Sequence, residues 1–134
     1  MFIWKEEYEI GIEKIDNEHK KLFEIANKGY ELLENDFYLD KYDRIMSIIM
    51  ELKDYAKFHF SEEEQYLASV GYKKLFTHKM QHDYFIEQIN NVNDKEMDED
   101  QDKYILKILN FIVNWIQEHI LEKDREYVKE LMGK

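Results

Sequence analysis

All five histidines of this 134-residue chain stand at spacings that suit metal ligation. His59 lies four residues before Glu63, His78 four before His82, and His119 five before Asp124, while His19 stands alone. Side chains at i and i+4 share one face of a helix and can grip one ion between them. Nitrogen and oxygen donors without sulfur exclude a soft site, and seven donors are too many for one tetrahedral zinc. Two ions bridged by carboxylates fit better. If Glu63 and Asp124 each bridge, they supply four oxygens, the histidines supply five nitrogens, and a solvent-derived bridge counts once for each ion. Two octahedra then lack a single donor, which leaves room for one small ligand.

The balance of donors bears on reactivity. Ferritin-like di-iron proteins use mostly carboxylates with two histidines. Here neutral imidazoles outnumber carboxylates, and neutral donors favour the ferrous pair. Such a site tends to take up O2 and return it rather than drive on to a high-valent oxidant.

The elements that must carry these residues are helices. The chain has no proline and four glycines, which suits long helices with short connections. Residues 1–15 read as an N-terminal arm held by Trp4, Ile10, Ile12 and Ile15, with Asp16 as the expected N-cap of the first helix. That helix is expected over 17–34, with His19, Leu22, Phe23, Ala26, Tyr30 and Leu33 on one stripe. A loop at 35–40 leads to a second helix over 41–70, whose stripe runs from Ile45 through His59 and Glu63 to Val70, with Gly71 at its C-terminal end. The third spans 73–93 and turns Leu75, His78, His82, Phe85, Ile86, Ile89 and Val92 inward. After an acidic stretch at 94–102, the fourth covers 99–121 and carries Ile105, Ile108, Ile112, Trp115, Ile116, His119 and Ile120. A short helix at 122–132 ends the chain. The expected fold is all-α: an up-down-up-down four-helix bundle with an N-terminal arm and a short C-terminal helix, one domain over 1–134.

Each histidine, and Glu63 with them, lies on the apolar stripe of its own helix. A buried carboxylate costs several kcal/mol unless paired or metal-bound, so Glu63 calls for a partner. Glu62 and Glu64 flank it, and replacing either is expected to do little by comparison. Five residues from His119 to Asp124 amount to about 140° of α-helical rotation. The two face one ion only if the helix ends or bulges between them, and Asp124 is expected just past the helix end.

Composition narrows the partners. A formal net charge of −11 repels phosphate backbones and anionic lipid, so neither nucleic acid nor a membrane is expected. Absence of cysteine removes disulfides, thiolate sites and iron–sulfur clusters. No apolar run approaches the ~20 residues of a membrane span, and the first residues do not read as a signal peptide, which leaves the cytoplasm as the expected location.

With these residues in place, the chain resembles the hemerythrin family, and its bacterial members in particular, over essentially its whole length. The likeness is carried by Gly11-Ile12, Ile15-Asp16, His19 and Leu22-Phe23; by His59-Phe60-Ser61-Glu62-Glu63-Glu64; by Gly71-Tyr72, His78 and His82; and by Trp115, His119-Ile120 and Asp124. One departure is Lys73, where bacterial members often carry proline after the Gly-Tyr turn. The resemblance implies two non-haem Fe ions per chain with an oxo or hydroxo bridge, no haem, and reversible binding of O2. It implies that His78, His82 and His119 ligate a saturated iron, that His19 and His59 ligate a five-coordinate one, and that Glu63 and Asp124 bridge them.

Leu22, Phe23, Trp115, Ile116 and Ile120 flank the histidines and would wall an O2 pocket, although ordinary core packing explains them equally well. Tyr66, one turn from Glu63, is a further candidate. The expected function is that of an O2 carrier, store or sensor rather than an enzyme, with O2 as the small-molecule ligand. The alternatives are a di-iron oxidase or peroxidase, and a protein handling iron or nitric oxide.

Overall fold

The computed structural model describes residues 3–35, 41–91 and 100–131. The expected connection at 36–40, Val92, most of the acidic stretch and Met132 lie outside the described residues. The rest forms a short 3-10 turn (Glu6–Tyr8) and the helices α1 (Glu13–Glu34), α2 (Tyr42–Ser69), α3 (Leu75–Asn90) and α4 (Gln101–Glu118). A π-helical turn (His119–Asp124) then leads directly into α5 (Arg125–Leu131).

Cross-helix pairs fix the directions. Lys14 meets Glu62 and Lys28 meets Glu51, so α1 and α2 run antiparallel. Phe60 packs on His82 and Phe85, Phe85 on Phe111 and Trp115, and Tyr30 reaches Asn110. Each neighbour in the ring α1-α2-α3-α4 is therefore antiparallel to the next, the expected up-down-up-down bundle.

The interior divides along its length. In one half, Ile25, Ala26, Ile45, Ile49, Leu52, Phe85, Ile105, Leu109 and Ile112 make a dry core. In the other, the same stripes continue as histidine and carboxylate. Lys41 closes the apolar end: its buried ammonium donates to the Leu33 carbonyl (3.2 Å) and to Asp102 (3.0 Å), tying three helix ends together.

Helix boundaries follow local chemistry. α1 starts at Glu13 rather than at 17, with Ile12 as N-cap. Asp16 sits inside the first turn instead of capping it. Its carboxylate accepts the backbone N–H groups of Ile10 (2.9 Å) and Gly11 (3.2 Å), so it folds the arm back onto the helix. Gly11 takes the left-handed backbone conformation (φ +91°) that this return requires. Trp4, Tyr8 and Phe23 cluster over it.

At the other turn α2 ends as expected. Gly71 has φ +72°, the Gly71 N–H bonds the Ala68 carbonyl and the Tyr72 N–H bonds that of Leu67, a Schellman closure. Val70 is exposed rather than inward, because the chain has already left the helical stripe.

α1 packs tightly against α4 at Gly29, where an added Cβ would meet Leu109 Cδ2 at 2.6 Å and Cδ1 at 2.9 Å. Gly29→Ala gains ~1 kcal/mol of helix propensity and incurs ~1–3 kcal/mol of overpacking, because the whole Leu109 side chain must shift. Chemical denaturation is expected to show no stabilisation and a net loss of about 1 kcal/mol; a clear gain would mean that the α1–α4 contact is looser than the structure shows.

Candidate metal centre

Four helical segments deliver the seven expected residues to one place. His19 comes from α1, His59 and Glu63 from successive turns of α2, and His78 and His82 from successive turns of α3. His119 and Asp124 come from the π-helical turn. Asp124 does not lie past a helix end, as the spacing suggests at first reading. The chain stays helical, and the Arg125 N–H bonds the Ile120 carbonyl five residues back. One π turn brings positions i and i+5 onto the same face, so the bulge supplies the rotation that an α-helix denies. All seven side chains are buried.

The carboxylate oxygens divide the histidines into two groups. Glu63 Oε1 lies 2.8 Å from His78 Nε2 and 3.1 Å from His82 Nε2, while Oε2 lies 3.7 Å from His59 Nε2 and 4.0 Å from His19 Nε2. Asp124 Oδ1 stands 3.1 Å from His78 Nε2 and 3.3 Å from His119 Nε2, and Oδ2 stands 3.1 Å from His19 Nε2. The Nε2 atom of His119 is 3.3 Å from that of His78 and 3.2 Å from that of His82. Two sets of converging donors result: Glu63, His78, His82 and His119 on one side, and His19, His59 and Glu63 on the other.

This arrangement fits a metal better than a hydrogen-bond network. Both oxygens of the fully buried Asp124 make no hydrogen bond of proper geometry, although imidazole nitrogens stand at contact distance. Buried carboxylate oxygens that face imidazoles without a bond of proper geometry suit a cation placed between them.

Without metal the site holds itself together by charge. Burial opposes ionisation of Glu63, but its bonds to His78 and His82 outweigh that and hold the carboxyl well below the usual range. Burial and the Glu63 charge oppose ionisation of Asp124, and the surrounding imidazoles outweigh them. Burial likewise disfavours charge on His78, yet Asp124 and Glu63 raise it to about 9. Against burial, His19 is raised chiefly by Asp124 and Glu63, and His82 by Glu63 and Glu64. His119, pushed down to about 3 by burial above all, stays neutral, so the charge partners of Asp124 are His19 and His78.

A second layer orients the first. The His59 Nδ1–H donates to buried Glu18 (2.8 Å) and the His82 Nδ1–H to Glu64 (2.8 Å), which leaves each Nε2 lone pair aimed at the centre. The Tyr127 hydroxyl donates to Glu63 Oε2 (3.3 Å). Phe60 stacks on His82 (centroids 3.9 Å, 6°) and Trp115 on His119 (4.6 Å, 11°).

Sequence reasoning missed Glu18, Glu64 and Tyr127. Two had a signal: Glu18 continues the spacing Ile15, Leu22, Ile25, and Tyr127 follows Ile120 and Asp124. Glu64 had none. It is expected to matter as little as Glu62, yet it bonds His82 while Glu62 pairs with Lys14 near the surface. The tyrosine on Glu63 is Tyr127, and Tyr66 packs beside its ring (6.5 Å).

Of the expected wall, Leu22, Phe23, Ile116 and Ile120 are buried. Trp115 is half-buried, and Phe23 belongs to the arm cluster.

Two expectations follow. His78, titrating near 9 in the metal-free protein, carries a proton at pH 7 that metal must expel. Metal uptake should therefore release protons at pH 7, with affinity rising with pH until about 9. Anaerobic ferrous titration in weak buffer checks this; uptake without proton release at pH 7 would contradict it. Glu18→Ala and Glu64→Ala should each weaken metal binding ~10–100-fold, while Glu62→Ala should leave it unchanged. Equal effects from all three, measured by chelator competition, would deny the second layer its role.

Comparison with known proteins agrees with this geometry. The hemerythrin HHE cation binding domain family matches residues 10–131. A bacteriohemerythrin of Clostridium acetobutylicum is 72% identical, over 96% of this chain and 99% of its own length. A bacteriohemerythrin of Pseudomonas paraeruginosa is 30% identical over 94% of this chain and 78% of its own. A hemerythrin-like protein of Naegleria gruberi is 28% identical over 94% and 90%. On its helical architecture, its buried histidine–carboxylate cluster and these matches, the chain belongs to the hemerythrin family.

Proposed function

We propose that this chain is a cytoplasmic O2-binding protein, a carrier, store or sensor rather than an enzyme, with two Fe ions per chain. The observation that carries the reading is the division of the Glu63 and Asp124 oxygens between three histidines and two. His78, His82 and His119 would hold one ion together with Glu63 and Asp124, and His19 and His59 would hold the other with the remaining oxygens of the same two carboxylates. With a solvent-derived oxo or hydroxo bridge, the donor count would leave one position for a small ligand. When bound, the iron pair supplies the two electrons that reversible O2 uptake needs.

The chain's own residues do the rest. Five neutral donors and two carboxylates favour the ferrous state. Glu18 and Glu64 hold His59 and His82 in the ligating tautomer. The buried side chains of Leu22, Ile116 and Ile120, each within one helical turn of His19 or His119, give the histidines apolar neighbours, and an apolar surround slows loss of a reduced oxygen species to water. A net charge of −11 suits a partner as small and neutral as O2 rather than nucleic acid or lipid. No helix among the described residues is long and apolar enough to cross a membrane.

Turnover of peroxide is the second reading, and Tyr127 is the observation that bears on it. Its hydroxyl stands on Glu63 Oε2, the oxygen that faces His19 and His59. Burial and the charges of Glu63 and Asp124 push that hydroxyl far above the ordinary phenol range, which makes it a reluctant acid. A positioned donor of matched acidity is what turnover requires, and in the metal-free protein Tyr127 does not supply one.

Reduced protein mixed with O2 should develop a visible absorption band that vanishes when O2 is removed, over repeated cycles, with two irons per chain. Glu63→Ala should lose the pair or its magnetic coupling. A single zinc per chain, irreversible bleaching, or coupled irons retained without Glu63 would each overturn the reading.

A further inference from the structure

A groove between α2 and α3 ends on one of the histidines of the metal centre. It has a volume of about 330 Å³. Buried Phe60 and His82 and half-buried Glu64 line its inner side, and exposed Lys57, Asp83 and Glu87 its outer side. Both inner contacts lead to the same ring. Phe60 stacks flat on His82 (centroids 3.9 Å, 6°), and Glu64 accepts the His82 Nδ1–H (2.8 Å). The other nitrogen of that ring, Nε2, faces Glu63 Oε1 (3.1 Å) at the centre.

The inner wall is closed to atoms. His82 is 1% exposed and Phe60 5%, and Glu63 behind them is fully buried. Neither an ion nor O2 passes here without displacing a packed ring. An electron crosses packed side chains without displacing them. A groove that stops at a ligand ring therefore suits the movement of electrons rather than of matter.

This inference rests on the iron and O2 reading above. An O2-binding iron pair that loses reduced oxygen to water is left two electrons short, and O2 uptake stops until they are returned. The chain has no cysteine to supply them, so they come from outside. The charges at the groove identify the donor. Three carboxylates, Glu64, Asp83 and Glu87, share it with one ammonium, that of Lys57, on a chain of net charge −11. Such a field draws in a basic partner and turns away an acidic one. Redox encounters bury little surface and are transient, so a groove of this size suffices.

We propose that electrons reach the metal centre through this groove, from a protein one-electron donor whose exposed cofactor edge is ringed by basic residues. They pass by the Phe60 ring and the Glu64–His82 hydrogen bond to the ion that His82 holds. Two donors each lose one electron, the ferric pair gains both and becomes ferrous, and no covalent bond among the chain's residues changes.

A path for electrons runs both ways, so a basic acceptor tests it. Ferrous, metal-loaded protein is mixed without O2 with ferric cytochrome c, a basic haem protein, and the haem absorbance is followed. The second-order rate constant should fall about tenfold or more between about 0.01 M and about 0.15 M salt. Asp83→Lys with Glu87→Lys should lower the low-salt rate about tenfold or more. Glu31→Lys with Asp43→Lys makes the same change of net charge at exposed positions at the apolar end of the bundle, and should lower it about threefold at most. All four positions are exposed, and a retained reversible O2 band establishes that each variant is folded and loaded. Carbodiimide should couple cytochrome c lysines to Asp83 or Glu87, read by mass spectrometry, with or without metal. A rate indifferent to salt, equal losses in the two double variants, or cross-links spread over other faces would overturn this inference alone. A chain that binds no iron pair would overturn the functional reading, and this inference with it.

Discussion

One constraint shapes this protein: seven polar and ionisable side chains are buried together in the half of a helical bundle where apolar residues would pack more cheaply. Removing a carboxylate from water costs several kcal/mol unless its charge is met. Glu63 and Asp124 are both fully buried, about as unfavourable a pair as a small core can hold. Each is met by imidazoles from other helices, so no helix can leave the bundle without exposing the charges of its neighbours. The site thereby acts as a tie between α1, α2, α3 and the π turn.

That tie needs support from the other half of the molecule. The dry core around Ile45, Leu52, Phe85, Ile105 and Leu109 buries apolar surface without strain or unpaired groups. Stability is concentrated where chemistry is absent, and the site draws on it. The closeness of α1 and α4 at Gly29 and the buried Lys41 belong to the same arrangement, since both hold the helices in register below the site.

Precision at the centre comes from layers outside it. An imidazole can turn about its Cβ–Cγ bond and can carry its proton on either nitrogen. Glu18 and Glu64 remove the choice of tautomer for His59 and His82, and the stacked rings of Phe60 and Trp115 limit rotation. The π turn does the same for the backbone, at the expense of regular helical bonding. Such bulges are rare and often sit at functional positions, and here the reason is visible: a spacing of five on a continuous helix needs one.

Periodicity made the bundle legible in the sequence. Apolar stripes with i, i+4 repeats identify four helices, and histidines placed on those stripes must point inward together. Side-chain direction on a helix is a local property, which is why the seven donors could be named without coordinates. The start of α1 and the role of Asp16 were not legible, because a capping residue and an acceptor for a folded-back arm have the same type and nearly the same position. Glu64 was not legible either: nothing local separates it from Glu62, and only the placement of α3 beside α2 puts His82 within its reach while Lys14 of α1 takes Glu62. Nor could the sequence choose between a helix end and a bulge at 119–124, since both satisfy the spacing. The seven buried side chains that converge could thus be named from the sequence alone, through local helical geometry. The division of donors into three and two, and the outer carboxylates that aim them, were decided by the tertiary structure, because they depend on distances between helices that no spacing along the chain encodes.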